Sequence, residues 1–190
     1  MVTSGKKNRA TPSREALLDE AYGSDRFTKT SARLREGRLP AAGLSLVAVH
    51  HGRLVGTVRL WHVTAGPERA ALLLGPLAVH PQHRNRGIGA TLMRRGIARA
   101  RLAEHHAILL VGDAAYYCRF GFTAASTGEL WMPGRFQRGR LLALELRSGA
   151  LAGARGLIAA TGQFEPKPDL NRLIAGVGGG AQSAPVQRAA

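Results

Sequence analysis

A chain of 190 residues, 45% of them hydrophobic, is long enough for one domain with a substantial core. Its single cysteine, Cys118, excludes an internal disulfide framework, and no C-x-x-C pair or Cys/His cluster offers a metal site. The formal net charge of +15, with arginine-rich clusters over 6–14, 33–38, 84–101 and 135–147, attracts polyanions from nucleic acid to a phosphate-rich cofactor, yet equally fits solvated helix faces.

The opening MVTSGKKNRATPSRE has basic residues but no apolar core of a secretory signal. No run approaches the roughly 18–20 apolar residues that span a bilayer, so a cytoplasmic location and no membrane partner are expected. Residues 1–12 are small, polar and basic; disorder is expected there, and no strand. Ser13 fits a helix N-cap, Leu17, Leu18 and Tyr22 follow at helical spacing, and Gly23 ends the helix. A second short helix fits 30–35. The runs 45–52 and 53–64 are β-rich and predict a hairpin around His51-Gly52.

The run 71–81 is apolar on both faces, as in a central strand. Pro76 in its middle has no N–H and predicts a bulge or a splayed partner. A helix is predicted over 87–104 with Ala90, Met93, Ile97 and Ala100 on one face. Strands over 107–112 and 141–146 flank a short helix over 114–121. Strand, helix and strand through 71–112 predict a crossover with a parallel pair. The domain is expected over 13–147, with a C-terminal extension over 148–164 and a disordered tail over 165–190.

Between the central strand and its helix, Arg84-Asn85-Arg86-Gly87-Ile88-Gly89 fits the pattern Gln/Arg-x-x-Gly-x-Gly/Ala. Glycines at 87 and 89 let the backbone curl and approach a ligand, and free N–H groups of the first helical turn, through Ala90, can converge on a pyrophosphate. A Walker A loop would need Gly-Lys-Ser/Thr, and a dinucleotide fingerprint a small residue where Leu92 stands. For the hexapeptide alone, a glycine-rich helix start with solvated arginines is the plainer alternative.

Together with Tyr116-Tyr117-Cys118-Arg119-Phe120-Gly121-Phe122, this loop resembles the GNAT superfamily of acetyl-coenzyme A-dependent N-acetyltransferases. The resemblance runs from about 13 to 147 in element order and is most specific at 74–96 and 107–122. It implies an α/β fold: a mixed, mostly antiparallel sheet with a central splayed parallel strand pair and flanking helices. It implies that Arg84, Asn85, Arg86, Gly87, Ile88, Gly89 and Ala90 hold the coenzyme A pyrophosphate. Leu77, Ala78 and Val79, on the bulged strand, would hold the pantetheine arm and the thioester oxygen, and Tyr117 would give a proton to the leaving thiolate. Three features depart from the family: no strand is read in 1–12, no Asp or Glu stands in 71–80, and Gly112-Asp113 replaces an asparagine.

Acetyl transfer to an amine needs a neutral nucleophile, a stabilised oxyanion and a protonated leaving sulfur. A lysine-like amine has a pKa near 10.4, so a proton acceptor helps. His62 is the preferred candidate and His80 the second, with a water chain as the alternative to both. The Val79 N–H suits the oxyanion, and a phenol of pKa about 10 suits the proton donor Tyr117. Cys118 lacks activating partners and reads as a packing residue; Asp113 is a helix N-cap or a pantetheine contact. The expected activity is therefore transfer of an acetyl group from acetyl-coenzyme A to a primary amine of a small molecule or peptide, without metal or specific nucleic acid, by a monomer or homodimer. The alternatives are a basic RNA- or ribosome-binding protein on this fold, or a non-catalytic acyl-coenzyme A sensor.

Overall fold

The structure, a computed structural model, describes residues 2–4 and 11–166. In chain order it contains β1 (Val2–Ser4), α1 (Thr11–Tyr22), α2 (Thr30–Arg33), β2 (Ser45–His50), β3 (Arg53–Ala65) and β4 (Ala70–Val79). There follow α3 (Ile88–Leu102), β5 (Ala107–Val111), α4 (Ala114–Tyr117), β6 (Leu130–Trp131), β7 (Leu141–Glu145) and β8 (Gly156–Ala160). The main sheet runs β1-β2-β3-β4-β5-β7, and each neighbouring pair is antiparallel except β4 with β5. This is the mixed, mostly antiparallel sheet with a central parallel pair that the sequence leads one to expect; off that path β6 pairs with β8, also parallel.

Two strands depart from expectation. Val2–Ser4 pairs antiparallel with β2, Val2 opposite Ala48, so a strand does precede the first helix. A three-residue strand is too short to carry an alternation pattern, and only its pairing with β2 defines it. The second, β8, lies within the stretch expected as an extension. β2 covers β3 only as far as Arg59, and β8 then pairs with Val63–Ala65 of β3, burying Ile158. Helix α1 begins at Thr11 rather than beyond Ser13, with Pro12 in the first turn, where its missing N–H costs nothing. Residues 5–10 and the tail from 167 onward, where disorder was expected, lie outside the described residues.

Alternation explains the continuous apolar runs. Leu60, Leu72 and Ile108 face α3, whereas Trp61, Leu73 and Leu109 point to the opposite face. On α3, Met93, Ile97 and Ala100 are buried as expected and Leu92 and Gly96 join them, while Ala90 is only half-buried. A Cβ at Gly56 would stand 3.0 Å from both Ile88 and Leu92, so this glycine sets how closely α3 lies on β3.

The bulge is where Pro76 predicts it. Val58 opposes Leu77 but Leu60 opposes Leu74, so β4 takes three steps where β3 takes two. The extra residue flips the facing: Leu74 and Leu77 both pack toward α3, and Ala78 turns to the α1 side against Leu17 and Leu18. The Trp61 indole N–H donates to the bulge carbonyl of Gly75 at 2.6 Å. β4 and β5 are paired only at Leu72–Ile108 and Leu73–Leu109, and beyond that they part.

Candidate active site

The gap between the parting strands is a cleft of about 480 Å³, walled by the β4 bulge, by Gly112 to Tyr117, and by side chains from α1 and α2. Its volume falls in the range of small-molecule sites, about 300–1,000 Å³. One wall is backbone. The His80 N–H donates to the Val55 carbonyl at 2.9 Å, which makes that residue pair the hydrogen-bonded one. By antiparallel alternation the N–H and C=O groups of Leu77 and Val79 then point away from β3, toward the side β5 has left. Accordingly, the Tyr22 hydroxyl donates to the Leu77 carbonyl, and Arg84 Nε reaches the Val79 carbonyl at 3.5 Å. Ala78 does not share this orientation, since its backbone groups face β3.

The loop ahead of α3 lies beside the cleft and meets its wall at Tyr116 and Val79. Asn85 (φ 60°) and Gly87 (φ 74°) are both left-handed, a conformation that asparagine and glycine adopt most readily. Gly87 is the N-cap and brings no side chain to the helix end; the first helical bond runs from Thr91 N to Gly87 O at 2.9 Å. Ile88, Gly89 and Ala90 therefore present N–H groups without partners inside the helix, flanked by exposed Arg84 and Arg86. A Cβ on Gly89 would stand 3.1 Å from the Tyr116 hydroxyl and 3.5 Å from Val79, which joins this turn to the cleft wall.

Asp113 caps α4 by accepting from Ala115 N at 3.1 Å, so the N-cap role is the one observed. The cap starts a single turn that swings Tyr117 onto Gly112, where any side chain would collide with the tyrosine ring. Tyr117 also meets Tyr116 and Phe122 edge-on, at centroid distances of 4.9 and 6.1 Å. Burial pushes its phenol well above the ordinary tyrosine range, with Tyr22 and Tyr116 adding to the shift and Arg140 opposing it. The hydroxyl accordingly holds its proton at neutral pH. Cys118 is exposed rather than packed, its thiol 3.5 Å from the Ala115 carbonyl.

The histidines do not join them. His62 is half-buried with its ring 5.4 Å from that of His105, which lies just past the C-terminal end of α3, away from the loop. It does not border the cleft. Its strand was legible, but which end of a 13-residue strand reaches the cleft depends on pairing with β4. His80 accepts from Gln82 N at Nδ1 (3.3 Å) and turns Nε2 to Glu20 (3.3 Å), which occupies both nitrogens. Lining residues that the sequence pattern does not reveal are Tyr22, Arg35 and Arg140, each brought in from an element without a motif of its own.

The family profile described as the acetyltransferase (GNAT) domain matches residues 41–124. The uncharacterized N-acetyltransferase YjhQ of Escherichia coli is 34% identical over 105 residues, 54% of this chain and 58% of that protein's length. The uncharacterized N-acetyltransferase YhbS of Escherichia coli is 28% identical over 148 residues, 77% of this chain and 88% of YhbS. The crystal structure of YhbS in complex with CoA matches with a TM-score of 0.71 at 29% identity, covering 85% of this chain and 89% of that one. A GNAT family acetyltransferase from Brucella melitensis, in complex with acetyl-CoA, matches with a TM-score of 0.56 at 25% identity, over 89% of this chain and 92% of that one. Residues 41–124 thus match the acetyltransferase (GNAT) domain, and over most of its length the chain is similar in sequence and fold to N-acetyltransferases of that family.

Proposed function

We propose that this protein transfers the acetyl group of acetyl-coenzyme A to a primary amine by direct attack on the thioester. The observation that carries this reading is the meeting, in one cleft, of two outward backbone N–H groups and a protonated tyrosine, with an uncapped helix start beside them at Gly89. Bound there, acetyl-coenzyme A supplies an activated acyl carbon. Ile88, Gly89 and Ala90, with Arg84 and Arg86, hold the pyrophosphate through N–H groups and charge. The outward N–H of Leu77 orients the pantetheine arm, and that of Val79 donates to the thioester oxygen as negative charge grows on it. The amine nitrogen forms the new C–N bond as the C–S bond breaks; Tyr117 gives its proton to the sulfur, and the proton lost by the amine leaves through water. No histidine borders the cleft, which favours water over a histidine base.

The acceptor is a small molecule or a peptide amine, and neither metal nor nucleic acid is needed. Among the described residues no group of three or more His, Cys, Asp or Glu side chains could hold a metal ion, and no described helix is long and apolar enough to cross a membrane. Thermal unfolding tests the reading. Acetyl-coenzyme A at about 100 times its Kd adds roughly 2.7 kcal/mol of stability, and NADH adds little. Gly89→Asp, which drives a carboxylate into the Tyr116 hydroxyl and the anion seat, abolishes the shift. A comparable shift with NADH and none with acetyl-coenzyme A overturns the proposal.

A further inference from the structure

The cleft is lined by basic side chains from two sides. Arg26, Lys29 and Arg35 approach from the α1–α2 side and Arg140 from the start of β7, against one carboxylate, Asp113. Most of these charges already have partners. Asp113 is held by the Ala115 N–H. Arg26 forms ion pairs with Glu15 and Asp19, both at 2.8 Å, and Glu15 also meets Arg59 at 3.4 Å. Lys29 lies over the Tyr22 ring at 4.8 Å. Arg35 and Arg140 differ. Arg35 Nε donates to the Ser31 carbonyl at 2.9 Å within its own short helical segment, and among the described residues no carboxylate comes within ion-pair distance of either arginine.

A half-buried guanidinium beside Arg59 and Arg26 has lost hydration and gained repulsion, which the Ser31 carbonyl, Tyr22 and Glu15 offset only in part. Its burial, with those two neighbours, brings its pKa down to about 10. An arriving anion reverses both terms at once, and the planar fork suits a carboxylate or phosphate in two-point contact. The phosphates of the cofactor have their own seat, three helix N–H groups with Arg84 and Arg86, on the wall where Gly89 meets Tyr116 and Val79. Arg35 enters instead from the α2 side, next to Tyr22, and Arg140 acts on Tyr117, the proton donor.

We propose that the acceptor is an amine that also carries an anionic group, a carboxylate or a phosphate, and that Arg35, helped by Arg140, is the residue that selects it. The inference rests on the acetyl-transfer reading and names its substrate class. An anion on Arg35 leaves the amine of a short molecule within the same cleft as Tyr117 and Val79, and the cationic wall repels polyamines and other amines of net positive charge.

The test uses matched acceptors with acetyl-coenzyme A: propylamine, 3-aminopropanoate and 1,3-diaminopropane, then ethanolamine and phosphoethanolamine, read by thiol release and product mass. The expected result is kcat/KM at least about 10-fold higher for an anionic member than for its neutral or cationic counterpart. The two anionic arms distinguish carboxylate from phosphate. Arg35→Gln erases the preference, mainly through KM, leaves the acetyl-coenzyme A Kd unchanged, and Arg35→Lys recovers part of it. Equal use of all acceptors by the unaltered enzyme overturns the inference, as does an Arg35→Gln variant whose defect lies in acetyl-coenzyme A affinity. If no acceptor is acetylated, the coenzyme A-loaded protein is titrated with the same compounds; failure of both anionic amines to raise its Tm above the neutral ones also overturns it. Absence of any acetyl-coenzyme A shift would be a failure of the acetyl-transfer reading instead, and is seen before an acceptor is added.

Discussion

Tyr117 is held by two small features, the Asp113 cap that starts its turn and the bare backbone of Gly112 on which its ring lies. Tyr117→Phe keeps the ring and removes the proton. Turnover is expected to fall about 10–1,000-fold, the scale of general acid catalysis, with the acetyl-coenzyme A Kd nearly unchanged. Because burial raises this phenol, it remains protonated beyond the ordinary tyrosine pKa of about 10. The pH profile of kcat is therefore expected to show no basic limb from Tyr117 up to about pH 10; a limb near pH 9 that vanishes in Tyr117→Phe would contradict this. The motif residues of this site were legible because their roles are local: Gly87 and Asn85 need only a left-handed backbone and Asp113 only the next turn. His62 stands apart from the cleft for the converse reason. Its position on a strand is local information, but the cleft is defined by where β4 and β5 part, some residues beyond the level of His62 and Leu72.

At the scale of elements, α3 joins the core to the anion seat, and both its packing and its ends can be tested. Gly56→Ala places a Cβ 3.0 Å from Ile88 and Leu92 in the first turns of the helix. Overpacking of this kind costs about 1–3 kcal/mol, and denaturant unfolding should show a lower midpoint with an unchanged m-value. Two histidines bracket the same helix. Burial lowers the pKa of His83, whose Nδ1 has no hydrogen-bond partner, with Arg86, His50 and His80 adding to the shift. Burial also lowers that of His105, with His62 and His106 adding. Both are neutral in the folded protein where the unfolded chain, with pKa about 6.5, begins to take up protons. Stability is thus fully present above about pH 6.5 and falls as pH falls below it. A Tm series from about pH 8 to pH 5 should decline, and a His83→Gln, His105→Gln double variant should flatten the decline. The bulge was readable from Pro76 alone. β1 and β8 were not, since each is a short strand defined by a partner far away in sequence.

For the whole molecule the open question is what a net charge of +15 serves. Part of it is absorbed within the fold, by Arg26 and Arg59 on Glu15 and by Arg138 over the Trp131 ring at 4.1 Å. Another part stands exposed at the start of α3, on Arg84 and Arg86, beside the anion seat proposed there. A compact ligand with a pyrophosphate and a 3′-phosphate meets only these few cations, so its affinity should fall gently as salt rises. A polynucleotide would contact many surface arginines at once, with a slope near −0.7 in log K against log salt for each phosphate contact on a single strand. Titrating salt from about 50 to 300 mM against both ligands separates the two behaviours, since screening weakens exposed charges most. The expected outcome is a shallow dependence for acetyl-coenzyme A, lost in an Arg84→Ala, Arg86→Ala double variant, and RNA binding that disappears by physiological salt. Tight RNA binding that survives there and competes with acetyl-coenzyme A would make the anion seat a nucleic-acid site. Its geometry argues otherwise: three N–H groups at the start of one helix suit a pyrophosphate, and offer no extended row of contacts along a strand.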